Sequence, residues 1–351
     1  MHRAGRLIVI GALLAGCGTQ EPSAVPSVAT QPPSAAPGFT AMVTPASTLV
    51  PPPAPAATIP LPPTINLGDT NAQAFHIGPS PDFALLVDGF LYVAGAGKGI
   101  ARIDSNGKVL ATWAVPTDTC GALDAGFGAV WTATCGAPGL ARIDAMTGKL
   151  TTIDVGGLMP DSEASIGAGE GGVWMIIAGL PRKLVKVDPT SGKVVGSFDI
   201  GGGPTGVRVG LGGVWITDPS LSVIHRFDPA AGRVVADIPV GKHPQFFAVG
   251  EGAVWTMNQV DGTISRIDPA TNTVTATIAL GEPVEGGDIA VGGGSLWLRG
   301  SRTLIFQIEP SVNEVVAVYG PASGSGSVAA DQAAVWITAH DVTTVWRLPL
   351  R

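Results

Sequence analysis

The stretch Phe247-Ala248-Val249-Gly250-Glu251-Gly252-Ala253-Val254-Trp255, followed by Thr263-Ile264-Ser265-Arg266-Ile267-Asp268-Pro269 and then by Thr273 to Leu280, decides the fold. Two runs of β-branched and aromatic residues flank Gly-Glu-Gly-Ala, a two-residue hairpin signal in which glycine supplies positive φ. Asp268-Pro269-Ala270-Thr271-Asn272 is a second turn, with an aspartate placed to accept from backbone amides and a proline that fixes φ. The unit reads as four short strands joined by a tight turn, a loop and a second tight turn.

The unit recurs. Its second-strand aromatic returns at Tyr92, Trp131, Trp174, Trp215, Trp255, Trp297 and Trp336, with spacings of 39, 43, 41, 40, 42 and 39. Its third strand ends in Arg102-Ile103-Asp104, Arg142-Ile143-Asp144, Lys186-Val187-Asp188, Arg226-Phe227-Asp228, Arg266-Ile267-Asp268, Gln307-Ile308-Glu309 and Arg347-Leu348-Pro349. Both markers count seven. A four-stranded unit repeating about every forty residues must stack on its neighbours to bury both faces, which predicts an all-β, seven-bladed β-propeller of antiparallel blades over residues 71–351. The seventh unit ends at Arg351 after its third strand. Asn71 to Ile77, with Gly78 and Pro81 behind it, aligns with the end of a fourth strand such as Ile238 to Val240 with Gly241 and Pro244, so an N-terminal strand is expected to close the ring.

Composition agrees: Gly 49, Pro 30 and only 13% charged residues favour short strands and tight turns over surface helices. The repeated tryptophans read as blade-to-blade packing. The recurrent Arg/Lys and Asp of the third strand read as turn chemistry and ion pairs between blades.

The N-terminus has a different character. MHRAGRLIVIGALLAG has two arginines ahead of an apolar run too short to span a bilayer, the order of a secretory signal over residues 1–16. It ends in Leu14-Ala15-Gly16-Cys17, which resembles a lipoprotein lipobox; the resemblance implies that Cys17 becomes the lipidated first residue on the extracytoplasmic side of a bacterial membrane. From Gly18 to Pro63 there are 13 prolines and a single charged residue, Glu21, so residues 17–70 are expected to form a disordered tether. Loss of Arg3 and Arg6 with the signal leaves 18 Lys and Arg against 27 Asp and Glu. That acidic balance argues against nucleic acid as a partner and leaves lipid on Cys17 as the membrane contact. A monomer is expected.

Residues that repeat in every blade specify the ring, and residues that break the repeat are the functional candidates. Cys120 and Cys135 flank one hairpin at mirrored positions and are expected to form a disulfide in an oxidising compartment. In propellers, ligands meet the face built by the loops between units and the loops after each second strand. There the departures from the repeat are Asp118, Asp161, Glu163, Lys242, His243, Gln245, Arg299 and His340, with Glu282, Glu285 and Asp288 as a carboxylate group able to take a divalent cation. Arg208 sits in an innermost strand where other units carry Leu85, Gly167, Ala248 or Ala290. It either meets an anion in the central channel or pairs with Asp124, another lone charge on an innermost strand.

Units such as Val240-Gly241-Lys242-His243-Pro244 through Gly252-Ala253-Val254-Trp255 to Arg266-Ile267-Asp268-Pro269-Ala270-Thr271 resemble YVTN-type propeller repeats, related to those of the virginiamycin B (streptogramin) lyase-like group. The resemblance covers residues 71 to 351 and implies the fold. The resemblance implies, for the lyases, histidine and glutamate with Mg²⁺ on one propeller face, and a metal-assisted reading of this chain would draw on His243 with Glu282, Glu285 and Asp288. No local histidine-and-glutamate pairing matches residue by residue, no other cofactor is implied, and His76 and His225 read as strand positions. The expectation is a non-catalytic binding or scaffold module that offers its loop face to a protein, peptide or small ligand; a metal-assisted lyase or hydrolase is the alternative. Cys17→Ala is expected to move the protein from the membrane to the soluble fraction on cell fractionation; retention in the membrane would count against the anchor.

Overall fold

Six tight turns let the repeated unit fold back on itself. Asp88-Gly89, Phe127-Gly128, Glu170-Gly171, Leu211-Gly212, Glu251-Gly252 and Gly293-Gly294 each hold both central residues at φ between 47° and 77°. This is the left-handed geometry whose twist matches a hairpin, and it is why glycine stands second in every pair. The seventh unit turns by another device: Asp331 Oδ1 accepts from the amides of Ala333 and Ala334 at 2.7 and 2.9 Å.

These turns were located in a computed structural model, which describes residues 54, 60–77, 81–95, 99–115, 119–134, 139–158, 160, 166–300, 305–320, 326–339 and 341–350. The strands form seven sheets, one per repeat, each antiparallel from the innermost strand outward. Blade four is representative: Val207–Gly210, Gly213–Asp218, Val223–Asp228 and Arg233–Pro239. Five of the seven outer strands shift register by one residue against the third strand beside the turn carboxylate, at Arg102/Ile103, Lys186/Val187, Arg226/Phe227, Arg266/Ile267 and Gln307/Ile308.

The ring closes as the sequence predicts. Gln73–His76 pairs antiparallel with Thr344–Pro349 as the outer strand of blade seven, with Ala74 opposite Trp346. A second N-terminal contact was not anticipated. Thr64–Asn66 adds in parallel to the outer strand of blade six, Glu314–Gly320, with Ile65 opposite Tyr319, so the expected boundary at residue 71 falls too late. One turn of 3-10 helix follows, Leu67–Asp69, and buries Leu67 against Trp297 and Val335. Such an edge strand leaves no hairpin signal, because its partner is distant in sequence.

The core is divided into seven apolar clusters, each holding one repeat aromatic between consecutive blades. Trp215 packs with Phe247, Val254 and Ile267 of blade five, and Trp336 of blade seven packs with Leu91, Val93 and Ile103 of blade one. The five central indoles, Trp131, Trp174, Trp215, Trp255 and Trp297, are fully buried and donate Nε1–H to the carbonyl five residues back, from Gly126, Gly169, Gly210, Gly250 and Gly292, at 2.9 to 3.1 Å. Each buried donor is thus satisfied by the hairpin that precedes it.

Among the described residues, the third-strand basic side chains make no ion pair between blades. Arg226 stacks over Trp215 at 5.1 Å and donates to Pro269 O and Asn272 Oδ1 of the next blade at 2.6 and 2.7 Å. Arg266 repeats the arrangement over Trp255, with Pro310 O and Asn313 Oδ1 at 2.8 and 2.9 Å. The partners are neutral because the neighbouring turn presents a carbonyl and an asparagine, while the aspartate of that turn caps its own amides, as Asp268 Oδ1 does for Ala270 at 2.8 Å. Arg142 pairs within its own blade, with Asp144 at 3.1 Å.

Trp255→Ala is expected to lower the unfolding free energy by ~3–5 kcal/mol in urea denaturation. Trp255→Phe keeps most of the packing and strands the Gly250 carbonyl, with an expected loss of about 1–3 kcal/mol.

Candidate functional site

Loops after the second strands and between blades share one face of the ring. In blades four, five and seven the loop after the second strand ends in a left-handed residue, Ser222, Gly262 or Thr343, at φ 55° to 59°. The residues just before it carry Leu221, Val260 and Val342, all exposed. Blade three contributes Leu180, fully exposed. Each described loop of this class therefore presents one large apolar side chain to water.

Polar residues knit the same face. The amide of Lys242 donates to Asp261 Oδ2 at 2.7 Å, tying the loop before blade five to the loop within it. His243 is held at φ 57° and is exposed, with its carbonyl accepting from Gln259 N at 3.2 Å. Gln245 meets blade four: Thr205 Oγ1 donates to its Oε1 and Thr217 Oγ1 to its carbonyl, both at 3.4 Å. Glu282 and Glu285 are exposed in the loop that enters blade six. Arg299, at the end of a second strand, is fully buried. Burial pulls its guanidinium down to about 10, against the opposing charge of Asp341.

The expected cation site does not assemble. Asp288 is buried and lies in a strand, where its carboxylate accepts from Ser327 Oγ and from Ile289 N, away from water-exposed Glu282 and Glu285. Among the described residues no three His, Cys, Asp or Glu side chains come together as a metal-binding group. The residues present therefore do not fit a Mg²⁺ centre built from these carboxylates and His243.

Innermost strands bring Asp124, Arg208 and Asp288 into electrostatic contact in the channel. Burial pushes the Asp124 carboxyl up, and the Arg208 guanidinium and the amides of Ala168 and Ala125 oppose it. Burial does the same at Asp288, opposed by Arg208, Ser327 and Ile289 and reinforced by Asp82. The Arg208 guanidinium acts through its charge on both carboxylates, Asp124 and Asp288. Arg208 Nη1 also donates to the carbonyls of Ile166 and Val207 at 3.3 and 3.1 Å.

Asp118, Asp161, Glu163, His340 and Cys135 lie outside the described residues, as do Cys17 and most of the expected tether, and nothing of the Cys120 side chain is described. The ladder expected to set Cys120 opposite Cys135 does shift: Leu123 faces Thr132, but Thr119 faces Thr134.

One constellation was missed from sequence. His225, 3% exposed on the third strand of blade four, lies between two carboxylates, with Nδ1 2.7 Å from Asp237 Oδ1 and Nε2 3.4 Å from Asp218 Oδ2. Asp218 also accepts from Gly203 N at 2.7 Å, Ser220 Oγ at 2.6 Å, Ser220 N at 2.9 Å and Leu221 N at 3.0 Å. Burial pushes the Asp218 carboxyl up, but these donors outweigh it and hold the group well below the usual carboxylate range. The signal was present: third strands elsewhere carry Ala101, Ala141, Val185, Ser265, Phe306 or Trp346 at the position of His225.

Burial holds Asp124 and Asp288 above the ordinary 3.8, so the folded state keeps these protons more tightly than the unfolded chain and loses stability as pH rises past that value. Asp288→Asn removes part of this loss. Its Tm advantage over the native chain is expected to grow between about pH 4 and pH 7 by calorimetry.

No family model and no curated protein sequence matches the chain. Among solved structures, one titled "Streptogramin B lyase structure" superposes with a TM-score of 0.64 at 18% sequence identity, covering 79% of this chain and 96% of that one. At that identity the likeness is one of fold, and what this chain shares with the streptogramin B lyase structure is its ring of blades.

Proposed function

We propose that this protein is a non-catalytic binding propeller, held by lipid on Cys17 outside a bacterial cytoplasmic membrane, which engages a protein or peptide through its loop face. The observation that carries this reading is the set of exposed apolar tips, Leu180, Leu221, Val260 and Val342, on loops of one face. Apolar tips surrounded by polar loops are the composition of a protein-binding patch, in which a few large side chains supply most of the affinity. The loops themselves are braced by Lys242 with Asp261 and by Gln245 with Thr205, so the tips are offered from a pre-organised frame. A lyase reading would draw on the fold shared with the streptogramin B lyase structure, but it lacks a gathered set of acid, base and metal ligands among the described residues.

A photo-reactive residue at position 221, in the full chain expressed in cells, is expected to form a discrete crosslinked species. The same residue at Met146, exposed in a turn on the other face, is expected to form none. Adding Leu180→Glu and Val260→Glu should abolish the species at 221. Equal crosslinking at both positions, or metal-dependent opening of a streptogramin B by the purified protein, would overturn the reading.

A further inference from the structure

The Asp218, His225 and Asp237 set does nothing for the ring that its neighbours do not achieve without charge. In blade five the corresponding positions hold Asn258 and Ser265, and Asn258 Nδ2 donates to Ser265 Oγ at 2.9 Å and to Thr263 Oγ1 at 3.0 Å. Blade four replaces this neutral contact with a buried imidazole that has a carboxylate at each nitrogen. A neutral imidazole carries one N–H and one lone pair, so it can donate to only one of them and would turn its lone pair on the other. Both contacts are satisfied only by the imidazolium.

The two carboxylates are unequal. Asp237 lies on the outer strand with 52% of its side chain exposed and can turn to water. Asp218 is wholly buried and cannot. Its carboxylate is the knot between two loops of the candidate binding face: Gly203 comes from the loop that enters blade four, and Ser220 and Leu221 from the loop within it. Substituting Gly202 would drive a Cβ to within 1.8 Å of Asp218 Oδ2, which shows how closely the entering loop wraps this group.

We infer that His225 is a proton-operated latch for the blade-four sector of the loop face. With both ring nitrogens protonated it neutralises Asp218 and holds the loops of Gly203 and Leu221 together; once neutral, it leaves a buried carboxylate without its counter-charge and the two loops loosen. As a regulator of the proposed binding face, the latch rests on that reading, with Leu221 as the shared residue. The remaining groups around the imidazole do not offset its charge. Val223 and Phe227 share its face of the strand, and Phe227 packs on Trp174, Ile176, Leu184 and Ile200 of blade three. Lys186 of that blade is stacked on Trp174 at 5.0 Å, and Arg182 of its loop donates to Pro204 O at 3.1 Å.

The sign follows from the partners. Burial opposes the charged ring, but the hydrogen bonds and charges of Asp218 and Asp237 outweigh it and hold the pKa above the ordinary 6.5. The stabilisation is therefore complete below about 6.5 and is lost as pH rises through the folded-state value.

The test is a pH titration of the full chain by ring ¹⁵N chemical shift and amide hydrogen exchange, with no binding partner present. The His225 ring is expected to lose its proton with a midpoint above 6.5. The amides of Ser220, Leu221 and Gly203 should exchange faster across that same midpoint, by about tenfold, equivalent to ~1.4 kcal/mol. Gln259 and Val260 of blade five should not respond. Asp237→Asn, at an exposed position, should lower the midpoint and carry the exchange transition with it, and His225→Ser should abolish the transition. A midpoint at or below 6.5, or loop amides that ignore the ring, would overturn the latch. Because no partner is needed, that result is separable from failure of the crosslinking at position 221, which would remove the binding face and leave the proton-dependent loops standing.

Discussion

Every blade depends on the contact between a buried aromatic ring and the blade beside it. A four-stranded sheet has two faces and cannot bury both alone, so the repeated tryptophan is stable only because another sheet covers it. Its N–H then has no access to water and must find an acceptor within reach. The hairpin carbonyl five residues back supplies one, as with Trp215 and Gly210 at 2.9 Å. The turn that builds the strand pair also satisfies the ring that joins it to its neighbour. Local folding and ring assembly are thereby coupled through one bond.

A second layer of coupling runs through the third strands. Arg226 and Arg266 lie flat on their own tryptophans and reach to the carbonyl and asparagine of the following turn. Guanidinium suits this position because its planar fork can stack on an indole while its edge donates. Closure adds a third device. It is made by Gln73–His76 in the place of a missing outer strand, and by Thr64–Asn66 laid along blade six. The N-terminal segment thus joins two consecutive blades, six and seven.

With the frame carried by repeated residues, charge and exposed apolar surface gather where the repeat lapses. The channel holds Asp124, Arg208 and Asp288, in which burial outweighs the attraction of the shared cation and keeps both carboxyls raised. The loop face holds the apolar tips. Between them and the outer edge of blade four, His225 links exposed Asp237 to buried Asp218. The same ring position is apolar or neutral in every other blade, so the charged set is local to one sector of the face.

Much of the architecture was legible in the residues alone. The spacing of Tyr92 through Trp336 and the Arg-Ile-Asp endings count seven units, and the gap after Arg347 demands a strand from elsewhere, because period and turn chemistry are local properties that repetition amplifies. The candidate site was less legible. Asp288 stood near Glu282 and Glu285 in sequence, yet a strand begins at Asp288 and carries its carboxylate into the ring toward Ser327, while the glutamates stay in the loop. His225, Asp218 and Asp237 sit on three strands, and only the cross-strand register and the burial of one blade face bring them into contact. Sequence by itself determined the number of blades, their turns and the closing strand, since each rests on contacts between near neighbours or on repetition. Tertiary structure alone decided which charges meet, because a pairing between strands depends on register and on which face is buried, and neither is written in the spacing of single polar residues.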